Sequence, residues 1–293
     1  MAWPPFIILF VIIYSAKSLP LLFNFYTLYL PFDLDNMDNK EKITRDWLKR
    51  YTGTSPGEYG EWILLTNFQN YVEKFSEKFN VPVNGIGGPM TSATNEKGLS
   101  IINFGIGSAN AATIMDLLAC IKPKGVLFLG KCGGLKKTTE LGHFILPTAA
   151  IRGEGTSDDY FPKEVPAMPS FKLHKHVSQV LVERELEYRT GVIYTTNRRV
   201  WEHDEEFKNY LKRVRAMGID METATIFITG FANGIDRGAL LMVSDTPMVP
   251  EGVKTEESDK EVTRKYVNMH IEIGIEAMTR IGGEGEKIKH FTY

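Results

Sequence analysis

LSIINFGIGSANAATIMDLLACIKPKGVLFLGKCGG, Leu99 to Gly134, decides the fold. Leu99 to Phe104 is an apolar run of strand length that ends in glycines at 105 and 107. Ala109 to Cys120 then reads as a helix, with Ser108 in place to cap it. Gly125 to Leu129 is a second β-rich apolar run, and it stops at the glycine turn Gly130 to Gly134. A strand, a helix of ten or more residues and another strand make a parallel crossover unit.

The same alternation continues outward. Trp62 to Leu65 reads as a strand and Phe68 to Phe79 as a helix. Beyond the central unit, Phe144 to Ile151 and Tyr188 to Tyr194 read as strands around a helix from Leu173 to Leu186. Glu222 to Phe231 is helical, Ala239 to Val243 is a buried strand, and a last helix runs from Ser258 to Arg280. The expectation is an α/β fold: one three-layer domain with a mixed, mostly parallel central sheet flanked by helices. In such sheets ligands bind beyond the carboxyl ends of the strands.

Composition narrows the class. A chain of 293 residues with 43% hydrophobic and 24% charged side chains suits one large domain. Its 34 basic and 36 acidic residues leave a net charge of -2, so no overall field favours nucleic acid or an acidic membrane. An anionic substrate has to be held by local charge. With only Cys120 and Cys132, and no Cys/His cluster, a reducing and therefore cytoplasmic setting is expected. His174 and His176, at i and i+2 of a helix, point different ways. No metal and no cofactor is implied.

Residues 1–36 differ from the rest. Up to Phe32 the one charge is Lys17, and prolines interrupt the run at 4, 5, 20 and 31. Phe6 to Ala16 is about half of the roughly 20 apolar residues that span a bilayer, and the signal-peptide features are weak. A mis-assigned start ahead of Met37 is the favoured reading, with a membrane anchor or a cleaved signal as alternatives. The expected catalytic domain is 37–293, with no membrane association unless the extension is real.

Four strand ends carry unusual residues: Gly105-Ile106-Gly107-Ser108, Gly130-Lys131-Cys132-Gly133-Gly134, Asp220-Met221-Glu222 and Ser244-Asp245-Thr246-Pro247. Each has an ordinary reading. Tight strand-to-helix turns need glycine, and Asn110 stands where a dinucleotide fingerprint would have its third glycine. Acidic residues at a helix N-terminus complement the macrodipole. Asp245 could cap a turn before Pro247.

Together the segments resemble the nucleoside phosphorylase and nucleosidase superfamily. GKCGGL at Gly130 to Leu135, DMETAT at Asp220 to Thr225 and MVSDTP at Met242 to Pro247 match its glycine turn, Met-Glu pair and Ser-Asp pair, in order. The resemblance covers most of Gly60 to Ile281. IRGEGTSDDYFP (Ile151 to Pro162) and YTTNRRVWE (Tyr194 to Glu202) look like the catalytic domain of the AMP nucleosidase family in particular.

The resemblance implies hydrolysis of the N-glycosidic bond of AMP to adenine and ribose 5-phosphate, a step in purine salvage. It implies Asp245 as general acid toward adenine N7, a role that needs a raised pKa, and Glu222 as acceptor for the ribose hydroxyls. Met221 would pack on the sugar, and Trp201 or Tyr194 would offer the base an aromatic face. Arg152, Arg198, Arg199 and Lys131 are candidates for the 5'-phosphate, with Thr156, Ser157 and Ser108 as hydroxyl donors and Gly107 and Gly133 as backbone contacts. Where bacterial hexameric phosphorylases hold phosphate with an arginine and a serine, this chain has Phe128 and Lys131. Thr66-Asn67-Phe68-Gln69-Asn70 likewise replaces a glycine-rich turn and its arginine. Water is therefore expected as the nucleophile, with no group assigned to activate it.

Other readings stay open: a purine nucleoside phosphorylase, an adenosine-type nucleosidase, a dinucleotide-dependent oxidoreductase and a non-catalytic nucleotide sensor. The resemblance also implies a homo-oligomer, hexamer or dimer, and a form with the catalytic domain alone.

Overall fold

The computed structural model describes residues 34–284. The apolar segment up to Asp33, on which the mis-assigned-start reading falls, lies outside the described residues, as does the chain after Glu284. The chain divides into two units between Asn39 and Lys40, and, apart from the start of its first helix, the architecture below is that of the second.

Helix α1 (Leu34–Thr52) leads into strand β1 (Trp62–Thr66), whose residues are all buried, as in a strand covered on both faces. Helix α2 (Gln69–Phe79) buries Tyr71, Val72 and Phe75 and ends at Asn80, which adopts the left-handed conformation that stops helices. A hairpin follows, β2 (Thr91–Thr94) and β3 (Leu99–Asn103), with the Asn95 carboxamide accepting the N–H groups of Lys97 and Leu99 across the turn. Then come α3 (Ser108–Leu118), β4 (Gly125–Gly134), β5 (Phe144–Gly153), α4 (Phe171–Glu183) and β6 (Tyr188–Thr196). The chain continues through α5 (Glu205–Arg213), β7 (Gly218–Asp220), α6 (Thr223–Ala232), β8 (Arg237–Asp245) and α7 (Glu256–Glu284).

Strand β4 is the hub. Along one edge it pairs in parallel with β8, from Val126 to Gly133. Along the other it pairs with β1 up to Phe128, then changes partner and meets β7 at Gly133 and Gly134. Since β8 pairs with β5, β5 with β6 and β6 with β7, the strands β4-β8-β5-β6-β7 close into a ring. Beyond β1 the sheet extends through β3 to β2. Bulges at Cys132/Gly133 and Pro147/Ala149 bend β4 and β5 toward closure. Glycine at 133 is part of that bend, because a Cβ there would sit 2.9 Å from the Pro247 ring.

Alternate residues of the strands feed two apolar layers. Ile63, Leu65 and Phe128 pack toward Ile114 and Leu118 of α3 and Phe227 of α6. Leu64, Leu127 and Leu129 pack toward Phe75 of α2, Val177 of α4 and Met278 of α7. A buried polar tie crosses the second layer. His270 Nε2 lies 3.0 Å from the Leu240 carbonyl, and its Nδ1 lies 2.8 Å from the Tyr71 hydroxyl. Burial drives this imidazole down to about 3, so it is neutral, donating to the carbonyl and accepting from Tyr71.

The α/β class, the layers and the mostly parallel pairing match expectation; α1, β2 and α5 were not among the expected elements, and three further details differ. Strand β4 does not stop at Leu129 but runs on through the glycines, because edge pairing with β8 and β7 continues there. Ser108 is the first helical residue of α3 rather than its cap, and Gly107, at φ 99°, takes the cap position. Closure of the ring, with the short strand β7 inside it, has no counterpart in the hydrophobic pattern.

Candidate active site at the strand ends

A cavity opens where β4 changes partner from β1 to β7, at the carboxyl ends of β1, β6, β7 and β8. A sheet that divides its hydrogen bonding in this way leaves a crevice that no strand fills. Eight of the residues singled out in the sequence line it: Lys131, Gly133, Arg198, Arg199, Trp201, Met221, Glu222 and Asp245.

Glu222 precedes α6 and is buried. Its Oε1 accepts the Gly107 N–H at 2.8 Å and its Oε2 accepts the Met221 N–H at 3.3 Å. Asp220, two residues earlier, is also buried. It accepts the hydroxyls of Thr195 at 2.7 Å and Thr223 at 2.5 Å, and the N–H groups of Thr223 and Glu222. Burial, then the Asp220 carboxylate, push Glu222 up to about 8. Burial raises Asp220 as well, against the four hydrogen bonds it accepts. Those four donors favour the ionised form of Asp220, so Glu222 is the member of the pair that holds a proton at neutral pH.

Asp245 ends β8. The Ser244 hydroxyl donates to its Oδ1 at 2.7 Å, and the Lys254 ammonium lies 3.7 Å from the same oxygen. Lys254 also lies 3.6 Å from Asp259, which accepts from Lys131 Nζ at 2.9 Å. Lys131 is almost fully buried, donates to Thr263 Oγ1 at 2.7 Å and sits 4.5 Å above the Phe68 ring. Burial lowers Lys131, and the Asp259 carboxylate opposes that shift. Burial alone would raise Asp259, but Lys131 and Lys254 hold it below the usual carboxylate range. Lysine and aspartate thus alternate along one wall, from Lys131 to Asp245.

Arg198 and Arg199 also line the cavity, exposed, paired with Asp204 at 3.0 Å and Glu202 at 3.5 Å. Exposed pairs of this kind are weak, so both guanidinium groups can turn to a ligand at little cost. Trp201 is buried beside them, edge-on to Phe207 at 5.4 Å. Tyr194, the other aromatic candidate, packs against Phe207 and Tyr210 and does not line the cavity; Phe68 does. Cys132 also lines it, but burial, with Asp220 and Asp245 nearby, holds the thiol in its protonated form.

Besides Tyr194, five candidates fall outside the cavity lining: Gly107, Ser108, Arg152, Thr156 and Ser157. Gly107 acts through its N–H, which is given to Glu222. The Ser108 hydroxyl is 2.8 Å from that of Thr156, tying α3 to the short helical turn Thr156–Asp159. Arg152 is corrected outright as a phosphate candidate. Its Nε donates to Ser157 Oγ at 2.9 Å, and its Nη groups donate to the carbonyls of Ser157, Phe161, Pro162 and Val165 and to Asp158. A guanidinium has five N–H groups, and here all are engaged in holding one loop.

Asn67, Phe68, Asp220, Lys254 and Asp259 are cavity residues outside the sequence-based set. Asn67 and Phe68 lay in the turn that departs from the family pattern, and Asp220 stood beside Glu222. Lys254 and Asp259 carried no signal, because the turn of chain after β8 is what brings them back to Asp245.

A family model described as Phosphorylase superfamily matches residues 62–279. Among curated relatives, AMP nucleosidase of Escherichia coli (strain K12) is 27% identical over 286 residues, covering 82% of this chain. This chain spans 59% of that relative's length. Guanosine phosphorylase of Halorubrum lacusprofundi is 29% identical over 186 residues, 62% of this chain and 76% of the relative. The crystal structure of AMP nucleosidase from Bacteroides thetaiotaomicron VPI-5482 superposes with TM-score 0.75 at 49% identity, covering 84% of this chain and 99% of that one. Uridine phosphorylase from Vibrio fischeri ES114, at 20% identity and TM-score 0.69 over 77% of this chain and 94% of that one, shares the fold.

Proposed function

The chain belongs to the phosphorylase superfamily, and on that premise we propose that it hydrolyses the N-glycosidic bond of AMP to adenine and ribose 5-phosphate. One observation carries the reading: a single cavity joins Glu222 and Asp245 to four cationic side chains, Lys131, Lys254, Arg198 and Arg199. A neutral nucleoside needs the two carboxyl groups; a nucleotide needs cations as well. Similarity to two AMP nucleosidases supports the same choice.

The chemistry divides by strand. The purine leaves only when a ring nitrogen is protonated, and Asp245 faces that task from the end of β8. The Lys254 ammonium lies 3.7 Å from its Oδ1, on the same wall of the cavity. Glu222, once ionised, accepts the ribose hydroxyls and offsets the positive charge that develops on the sugar. Its N–H donors from Gly107 and Met221 fix the carboxyl plane. The 5'-phosphate is assigned to Arg198 and Arg199, whose forked guanidinium groups suit a dianion. The catalytic unit is taken as 37–293, acting as a cytoplasmic homo-oligomer. Among the described residues, no helix is long and apolar enough to cross a membrane.

The test is incubation of the full chain with AMP in phosphate-free buffer, following adenine and ribose 5-phosphate by chromatography. Release of both, unchanged by added phosphate and much slower from adenosine, is the expected result. Phosphate-dependent release from nucleosides, with none from AMP, would return the chain to the phosphorylases.

A further inference from the structure

We propose that Asp220 is the positioning residue for Glu222: it fixes the backbone from which that carboxyl reaches the cavity, and it acts on it as a second buried charge. This rests on the reading of the site as an AMP hydrolase and deepens it, because it names what controls the group assigned to the sugar. Asp220 closes β7, in register with Thr195 of β6. Its Oδ1 accepts the Thr195 hydroxyl at 2.7 Å, and that hydroxyl in turn accepts the Ala224 N–H at 3.0 Å. Its Oδ2 accepts the Thr223 N–H at 2.7 Å and the Glu222 N–H at 3.3 Å, together with the Thr223 hydroxyl. One carboxylate thus ties β6 and β7 to the first turn of α6, and the backbone of Glu222 is held within that tie.

The charge is the part of Asp220 that the fold does not explain. Asn and Ser cap helix N-termini about as well as Asp, and a buried carboxylate costs more to desolvate than either. Apart from Glu222, the other charged side chains that line the cavity have partners of opposite sign. Lys131 and Lys254 pair with Asp259, Lys254 also with Asp245, Arg198 with Asp204 and Arg199 with Glu202. Glu154, buried against the other side of α6, accepts from the Thr225 hydroxyl. The four bonds to Asp220 all come from neutral donors, so they do not cancel its field. That field reaches both Glu222 and the Cys132 thiol and helps to keep each protonated. Burial contributes the larger part of the rise of Glu222 to about 8, and Asp220 the next. Removing the charge alone should therefore bring Glu222 down without returning it to the ordinary carboxylate range. Asparagine suits this purpose. Its carboxamide oxygen can face the donors of Glu222 and Thr223, while its N–H meets Thr195 Oγ1, which has a second lone pair.

The experiment compares the full-length wild type with Asp220→Asn, Asp220→Ser and Glu222→Gln as pH is raised through the neutral range. It reads kcat/KM for AMP, Tm and, independently of catalysis, the infrared band of a protonated carboxyl group. In the wild type the acid limb of kcat/KM and the loss of that band should coincide near 8, and Glu222→Gln should lack the titrating band. In Asp220→Asn both should move to lower pH by about one unit or more, so that the share of the plateau rate present at pH 6 rises roughly tenfold. Asp220→Ser, neutral and a helix cap in its own right, should move both in the same direction, and it serves where the carboxamide does not fold. A limb and band left at the wild-type pH in a folded neutral variant, with only Tm or the plateau rate reduced, would overturn the proposal and leave Asp220 as a cap. A titrating band that persists in Glu222→Gln would overturn it too, because the proton would then sit on Asp220. A wild type that releases no adenine from AMP would remove the hydrolase reading, while the infrared band would still decide for or against the action of Asp220 on Glu222.

Discussion

At the scale of single residues, the site is governed by two neighbouring carboxyl groups in different environments. Asp220 accepts four hydrogen bonds, whereas Glu222 accepts two backbone N–H groups and faces the cavity. The first is therefore a strut and the second a group whose charge is conditional. Glu222 is proposed to act ionised, yet its carboxyl is held up to about 8. The sign follows directly: below that pH the free protein carries a protonated Glu222, and above it the working carboxylate. The rate constant kcat/KM for AMP, which reports the free enzyme, should climb about tenfold per pH unit from pH 6 and level off near 8. Glu222→Gln should lower the rate by 10² or more and remove that limb. A flat profile between 6 and 8 in the wild type would mean that Glu222 acts in one protonation state throughout.

At the scale of elements, Arg152 and the pair Arg198 and Arg199 show why similar residues have different prospects. Arg152 holds the loop from Ser157 to Val165 through five partner residues from a nearly buried position. Arg152→Ala should cost on the order of 3 kcal/mol and lower Tm by roughly 5–10 °C, with KM for AMP little changed in the protein that remains folded. Arg198→Ala or Arg199→Ala should leave Tm within about a degree, because the pairs they lose are exposed. Their KM for AMP should rise tenfold or more, while KM for adenosine stays put. Thermal melts beside two-substrate kinetics separate the cases. Sequence alone made the three arginines look alike, since each sits in a motif loop and no pattern of spacing reports whether a guanidinium is already saturated. What was legible were the strand ends: Glu222, Asp245 and the Lys131 to Gly133 turn stand directly after apolar runs, so their place in the site follows from one-dimensional order. Strand β7 was not legible, because Gly218-Ile219-Asp220 is too short to show a period. The second half of β4 read as a turn because Gly130, Gly133 and Gly134 look like chain reversal until a neighbouring strand is seen to pair with them. Lys254 and Asp259 were invisible for a related reason, as only the return of the chain to Asp245 gives them a role.

At the scale of the whole molecule, the central alternation of strand and helix was enough for the three layers. The ring β4-β8-β5-β6-β7 was not, because it is a property of pairing between distant segments. That ring has a consequence in time as well as in space. Its closing contact joins Gly133 and Gly134 to Gly218 and Ile219, so a loop of more than 80 residues has to be gathered before the last hydrogen bonds form, and such distant pairings come late. The cavity is framed by that same junction. During refolding from denaturant, helical signal should therefore return well before the ability to release adenine, which should track the slowest phase. Half-refolded chains would then be compact yet inert, and catalysis would mark the moment at which the ring is sealed.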